Sequence, residues 1–281
     1  MTAKKLLNDL TAEISKIYEH REAQAIAFLM IKNMYGLPKT KVMVDDLVPN
    51  YDQKILENIL TRILTYEPPQ YVFSTAYFYG KKLFVDSSVL IPRPETEELV
   101  DWIISENKEK DQLTILDIGT GSACIPIALL DLMPKTQMYA IDFQENSLKT
   151  AKKNAQKHQA NIHFLQADIL TNDLQDLPKF DIIVSNPPYI PLQEKTIMQK
   201  NVLEHEPAHA LFVPNENPLL FYERIAILAK SKLHLQGQIY VEIHENFGDK
   251  TVKLFKKYGF KQIILKKDIN DKDRMLKCIW A

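Results

Sequence analysis

The sequence predicts an α/β protein: a seven-stranded parallel sheet covered by helices on both faces, preceded by a small all-helical domain and joined to it by a β-hairpin. Three observations carry this. At 281 residues the chain exceeds the ~100–200 residues of one typical domain. Its first quarter repeats apolar residues at three- and four-residue steps. From about residue 113 onward, short apolar runs alternate with helical segments, and strand, helix, strand in succession is the order of a parallel sheet with helical crossovers.

Residues 1–72 form the predicted helical domain. Leu6, Leu7, Leu10, Ile14 and Ile17, and again Ile55, Ile59 and Ile63, keep the helical period from Ala3 to about Tyr66. Pro68-Pro69 cannot continue a helix, and Ala76 to Asp86 reads as two short aromatic strands around Gly80-Lys81-Lys82, which makes 73–90 a hairpin linker. Pro92-Arg93-Pro94 ends the hairpin and opens the third segment, 91–281. There Glu95 to Glu106 is a predicted helix with acids in its first turn, favourable at a helix N-terminus. The predicted strands are Leu113–Ile118, Gln137–Ile141, Ile162–Leu165, Asp181–Ser185, Gln238–Ile243, Gln262–Leu265 and Met275–Ile279. Helices are expected at Ser122–Leu132, Gln144–His158, Leu219–Leu235 and Thr251–Tyr258.

Composition narrows the class of function. With 35 Lys+Arg against 36 Asp+Glu the chain has no cation excess for nonspecific phosphate binding, so nucleic acid is not expected as a partner. The longest apolar run, Ala25 to Ile31, falls far below the ~20 residues a bilayer requires, and 46% hydrophobic residues argue against disorder. The start, Met1 to Asp9, lacks the apolar stretch of a signal peptide, and Cys124 and Cys278 build neither a disulfide framework nor a four-thiolate zinc site. A cytoplasmic monomer is the expectation. Glycine is scarce at 7 residues, and two of these are Gly119 and Gly121.

In an open α/β sheet, ligands lie beyond the carboxyl ends of the strands. Here the first strand ends Asp117-Ile118-Gly119-Thr120-Gly121-Ser122, followed by Ala123. The second ends at Asp142, the third at Asp168-Ile169, and the fourth at Asn186-Pro187-Pro188-Tyr189. Asp142 is placed to accept from a ribose hydroxyl pair. Charge separates the candidate ligands. Asp117, Asp142 and Asp168 converge, the loop has no Lys or Arg, and Cys124 stands where a dinucleotide fingerprint has its third glycine. A carboxylate-lined site favours the cationic S-adenosyl-L-methionine (SAM) over an anionic dinucleotide. Consecutive prolines after the fourth strand offer carbonyl acceptors without N–H donors, and with the Asn186 oxygen they suit an NH2 group, on which Tyr189 could stack.

Four segments together resemble the release-factor glutamine N5-methyltransferase family (PrmC/HemK type): Asn186-Pro187-Pro188-Tyr189-Ile190, Asp117 to Ser122, Ile91-Pro92-Arg93-Pro94-Glu95-Thr96-Glu97, and Glu204-His205-Glu206-Pro207-Ala208-His209-Ala210-Leu211. The Pro-Arg-Pro-Glu-Thr-Glu run narrows it most, since Asn-Pro-Pro-Tyr also occurs in adenine N6-methyltransferases. The resemblance implies a class I SAM-dependent methyltransferase with a Rossmann-like sheet and a helical substrate-recognition domain. It implies SAM bound through Gly119 to Ala123, Asp142 and the stretch at Asp168, with Asn186 to Tyr189 seating the glutamine amide of release factors. The chain departs from the family at Ala123 and Ser74, where glycine is usual, and at Asn270-Asp271-Lys272-Asp273-Arg274, where the family reads Gly-Arg-Asp-Arg. Ala123 is expected to have little effect.

Three further motifs have plainer readings. His205-Glu206-Pro207-Ala208-His209 matches a zinc-protease pattern, but Pro207 disfavours the helix that would bring both histidines to one face; a loop buttressing the acceptor turn is expected instead. Lys149, Lys152, Lys153 and Lys157 read as a solvated helix face. Cys124 reads as a packed small residue rather than a reactive thiol.

Overall fold

The computed structural model describes all 281 residues, which divide into two compact units: Met1–Thr75 with Gln199–His205, and Ala76–Met198 with Glu206–Ala281. No helix is long and apolar enough to cross a membrane.

The first unit is helical: α1 (Ala3–Ile14), α2 (His20–Tyr35), α3 (Lys39–Met43), α4 (Gln53–Leu64) and α5 (Pro69–Val72). Its helices begin and end where local chemistry says they should. The Asp52 carboxylate accepts from the Lys54 and Ile55 amides at the start of α4, and Gly36, at φ 68°, closes α2 in the left-handed region. Leu6, Leu7, Leu10 and Ile14 of α1 pack with Ile26, Met30 and Ile31 of α2 and Ile63 of α4. The buried stripe of α4 runs through Leu56 and Ile63, whereas Ile55 is exposed, so the expected Ile55, Ile59, Ile63 seam is displaced by one residue at its start.

The second unit opens with the hairpin β1 (Ala76–Phe78) and β2 (Lys81–Leu83). Its two-residue turn is Tyr79-Gly80, both at positive φ, the geometry that matches strand twist. There follow α6 (Pro94–Asn107), β3 (Thr114–Ile118), α7 (Cys124–Leu132), β4 (Gln137–Asp142), α8 (Glu145–Lys157), β5 (Ile162–Gln166), β6 (Phe180–Ser185) and β7 (Ile190–Pro191). After α9 (Lys200–His205), which belongs to the first unit, come β8 (Phe212–Val213), α10 (Leu220–Lys232), β9 (Leu233–Glu242), α11 (Gly248–Lys257), β10 (Lys261–Lys267) and β11 (Asp273–Ile279).

The seven-stranded sheet has the order β10-β11-β9-β6-β3-β4-β5. Five strands, β9 to β5, are parallel, but β11 runs antiparallel to both β9 and β10. The parallel order expected from alternating strands and helices ends there because only Asp268–Lys272 separates β10 from β11, far short of a crossover. Asp268 closes this turn, accepting from the Asn270 and Lys272 amides at 2.9 and 3.1 Å and from Arg274 Nε at 3.0 Å. A second difference lies at β9, which begins at Leu233, so α10 stops at Lys232 rather than Leu235. The Lys232 ammonium is anchored on the Gln175 and Leu177 carbonyls at that point.

Strand alternation sorts the core. Ile115, Met138, Ile182 and Val184 face α6 and α7, while Leu116, Ile118, Ile141, Ile183 and Val241 face α10 and α11. Because β4 lies on one side of β3 and β6 on the other, chain direction across the sheet reverses beside β3. The carboxyl ends of β3, β4 and β6 therefore open a crevice.

Candidate active site

That crevice is a cavity of about 1000 Å³, its open mouth included, and all four predicted strand ends reach it. Gly119, Thr120, Gly121 and Ser122 line it after β3, Asp142 after β4, Asp168 and Ile169 after β5, and Asn186, Pro187 and Pro188 after β6.

The loop after β3 turns on Gly119 and Gly121, both at positive φ. Its amides are committed inward. Gly119 N and Thr120 N donate to the Ile141 carbonyl at 2.9 and 3.0 Å, and Gly121 N donates to Asp142 Oδ2 at 3.0 Å. A pyrophosphate would need those N–H groups free, so the loop offers no phosphate cradle. Asn154 of α8, fully buried, donates to the Ser122 and Phe84 carbonyls and accepts from the Phe84 amide, tying the loop to the residue after β2.

Beneath the loop, Asp117 is 1% exposed and neither of its carboxylate oxygens has a hydrogen-bond partner. Burial pushes its pKa up to about 7; Thr120 lies close enough to ease the charge though outside hydrogen-bond geometry, and Asp142 adds repulsion. The hydroxyls of Thr120 and Ser122 are likewise buried and unpartnered. Four unsatisfied oxygens under one loop fit a ligand that brings positive charge and N–H donors. Burial also raises the pKa of Asp142, against the Gln144 and Gly121 amides and the His209 ring, which lower it. His209 sits edge-on to Phe143 at 5.1 Å between ring centres, both lining the cavity, and burial lowers its pKa against the opposing charge of Asp142.

At the turn after β6, Asn186 Nδ2 donates to Thr96 Oγ1 at 3.0 Å, leaving Oδ1 as the end that can accept. Pro187 and Pro188 remove two donors from the same wall. Beyond the turn, β7 and β8 pair in parallel, starting with Ile190 N on the Leu211 carbonyl at 2.9 Å. Leu211 and β8, just after His209, thus lie against the acceptor turn's continuation. Helix α9 ends at His205, whose ring meets the Thr65 carbonyl, and Pro207 is extended, so the two histidines share no helix face. Glu206 is held by Arg93 Nη2 at 2.6 Å and by the Ile91 amide at 3.3 Å.

Three of the predicted site residues do not line the cavity. Asp117 lies behind the loop, as described. Ala123 is fully buried, capping α7 with φ 63°, so its departure from glycine bears on the backbone rather than on ligand contact. Tyr189 is half-buried, with its hydroxyl donated to Glu242 Oε1 at 3.0 Å and its ring edge-on to His244, beside the cavity lining rather than in it. Sequence reasoning missed Arg93, Thr96, Phe143, His209 and Phe221 as lining residues. The signal for Arg93 and Thr96 was present in the Pro-Arg-Pro-Glu-Thr-Glu run.

Residues 109–271 match a family model described as a methyltransferase domain. The release factor glutamine methyltransferase of Flavobacterium psychrophilum is 40% identical over 99% of both chains. That of Bacteroides thetaiotaomicron is 40% identical over 96% of this chain and 99% of its own. A methyltransferase from Pyrococcus furiosus of known structure matches with a TM-score of 0.53 at 15% identity, covering 79% of this chain and 98% of that one, a likeness of fold alone. With its strand-end loops and acceptor turn carried on a sequence this similar over its full length, the chain belongs to the release factor glutamine methyltransferase family.

Proposed function

We propose that this protein transfers a methyl group from SAM to the side-chain amide nitrogen, N5, of the glutamine in the Gly-Gly-Gln motif of peptide chain release factors. The observation that carries this reading is the union, in one cavity, of a carboxylate-lined half without a phosphate cradle and a wall of oxygen acceptors free of N–H groups. Gly119 to Ser122, Asp142 and the Asp168-Ile169 stretch would hold SAM, with Asp117 stabilising its positive charge from below. When bound, SAM supplies an electrophilic methyl group on a sulfonium.

The chain's own residues do the rest. Asn186 Oδ1 and the carbonyls of the proline turn accept the two N–H groups of a planar carboxamide and aim its nitrogen. They also stabilise the positive charge that nitrogen gains in the transition state, an effect that grows in a cavity from which water is displaced. An amide nitrogen is a poor nucleophile, so this orientation and charge stabilisation carry most of the acceleration; the proton leaves after transfer. The helical unit, residues 1–72, serves to recognise the protein substrate, and a cytoplasmic monomer suits a partner that works in translation.

Methyl-labelled SAM tests the reading with three acceptors offered separately: a release factor, glutamine-bearing ribosomal proteins, and adenine-containing DNA. Label in the release factor alone is expected. Label in a ribosomal protein or in DNA, or no SAM binding by calorimetry, would replace it with another acceptor or with a noncatalytic module.

A further inference from the structure

The acceptor turn is held by a chain of hydrogen bonds that begins at a buried carboxylate. Glu242, the last residue of β9, is 1% exposed. Its Oε2 accepts from Thr96 Oγ1 at 2.6 Å and its Oε1 from the Tyr189 hydroxyl at 3.0 Å. Burial raises its pKa; the Thr96 and Tyr189 hydroxyls oppose that shift, and so does the charge of Arg274, whose guanidinium bonds to Asp268 and pairs with Glu245. Glu242 is therefore a buried acid with two hydroxyl donors and no ion pair in contact. Burying a charge in this way is unfavourable compared with an apolar residue of similar size, so a purely architectural role does not account for it.

The direction of each bond follows from chemistry. Each Glu242 oxygen receives one hydroxyl, and with both accepting, the single proton of Thr96 points at Oε2. Thr96 Oγ1 can then only accept from its other neighbour, and Asn186 must turn its NH2 toward it. The Asn186 carboxamide is thereby locked with Oδ1 on the opposite side. Reversed, Asn186 would present N–H donors to a substrate NH2, donor against donor.

We propose that Glu242 is a positioning residue that sets the hydrogen-bond polarity of the acceptor turn: through Thr96 it dictates which end of the Asn186 amide meets the substrate, and through Tyr189 it fixes the far end of the turn. The inference rests on the site being a glutamine methyltransferase, and it assigns Thr96 as the relay.

The test is a kinetic cycle with the full-length protein, SAM and a release factor. Glu242→Gln offers one oxygen where two hydroxyls compete, so kcat is expected to fall about tenfold, with the SAM Kd and the release-factor KM changed less than about twofold. In an Asn186→Ala background the same substitution should leave the residual kcat unchanged within about twofold, because residues acting in one chain are non-additive. Thr96→Val should reproduce the loss and Thr96→Ser restore most of the activity; this pair reads the relay even if Glu242→Gln does not fold. An equal fall in kcat in both Asn186 backgrounds, or wild-type kcat in Glu242→Gln or Thr96→Val, overturns the inference alone. Absence of transfer by the wild type overturns the functional reading and the inference with it.

Discussion

Asp117→Asn separates the folding role of a buried carboxylate from its ligand role. In the folded protein burial raises the pKa of Asp117 from 3.8 to about 7. The folded state therefore holds a proton between about pH 4 and pH 7 that the unfolded chain releases, so stability falls as pH rises across that window and the full penalty applies above it. At about 1.4 kcal/mol per pKa unit, the penalty is about 4 kcal/mol. The neutral Asn removes it but leaves a buried amide to satisfy, at about 1 kcal/mol, so the ligand-free variant should be about 3 kcal/mol more stable than wild type at pH 8 and little different at pH 5. Urea denaturation followed by tryptophan fluorescence measures this, and comparison with wild type cancels the titration of Glu242, which is not among the charges acting on Asp117. A cationic ligand would lower the Asp117 pKa on binding. SAM affinity of the wild type should thus rise with pH up to about 7, and the variant should bind about tenfold more weakly at pH 8 without that dependence. Parallel stability profiles for the two proteins, or a variant less stable at pH 8, would refute the reasoning.

Other outcomes follow from the same geometry. Asn186→Ala should lose about 2–4 kcal/mol of transition-state stabilisation in single-turnover kinetics while calorimetry shows SAM binding intact. Arg93→Ala should destabilise more than Glu206→Ala in denaturant melts, because it strands a carboxylate with 1% side-chain exposure whereas Arg93, at 31%, can turn to water. Ser74→Gly should stabilise the protein by about 1 kcal/mol, since Ser74 is held at φ 46°. The Cys124 thiol, pushed up to about 12 by burial and then by the Asp117 charge, should resist thiol reagents at pH 8 in the folded state.

The seven strands and their end loops were legible in the sequence because β-strands alternate with helices there and because glycines, acids and prolines fall immediately after strands, where backbone demands are strict. Strand direction was not: the antiparallel β11 follows from the short Asp268–Lys272 connection, which leaves no mark in the apolar pattern. The orientation of Tyr189 was not legible either, because its partner Glu242 lies 53 residues away and enters only through the pairing of β6 with β9. Long-range pairs of this kind also hid Arg93 with Glu206 and Asn154 with Phe84. Ala123 and Ser74 were recognised as places where the family uses glycine; the positive φ at both gives the physical reason, and makes their effect one of backbone strain.

The most direct measurement is tandem mass spectrometry of a release factor after incubation with this protein and SAM. One added methyl is expected, on the side-chain amide nitrogen of the Gly-Gly-Gln glutamine, and its loss with Asn186→Ala. A methyl on any other residue of the release factor, or an unmodified glutamine with the wild-type protein saturated in SAM, would contradict it.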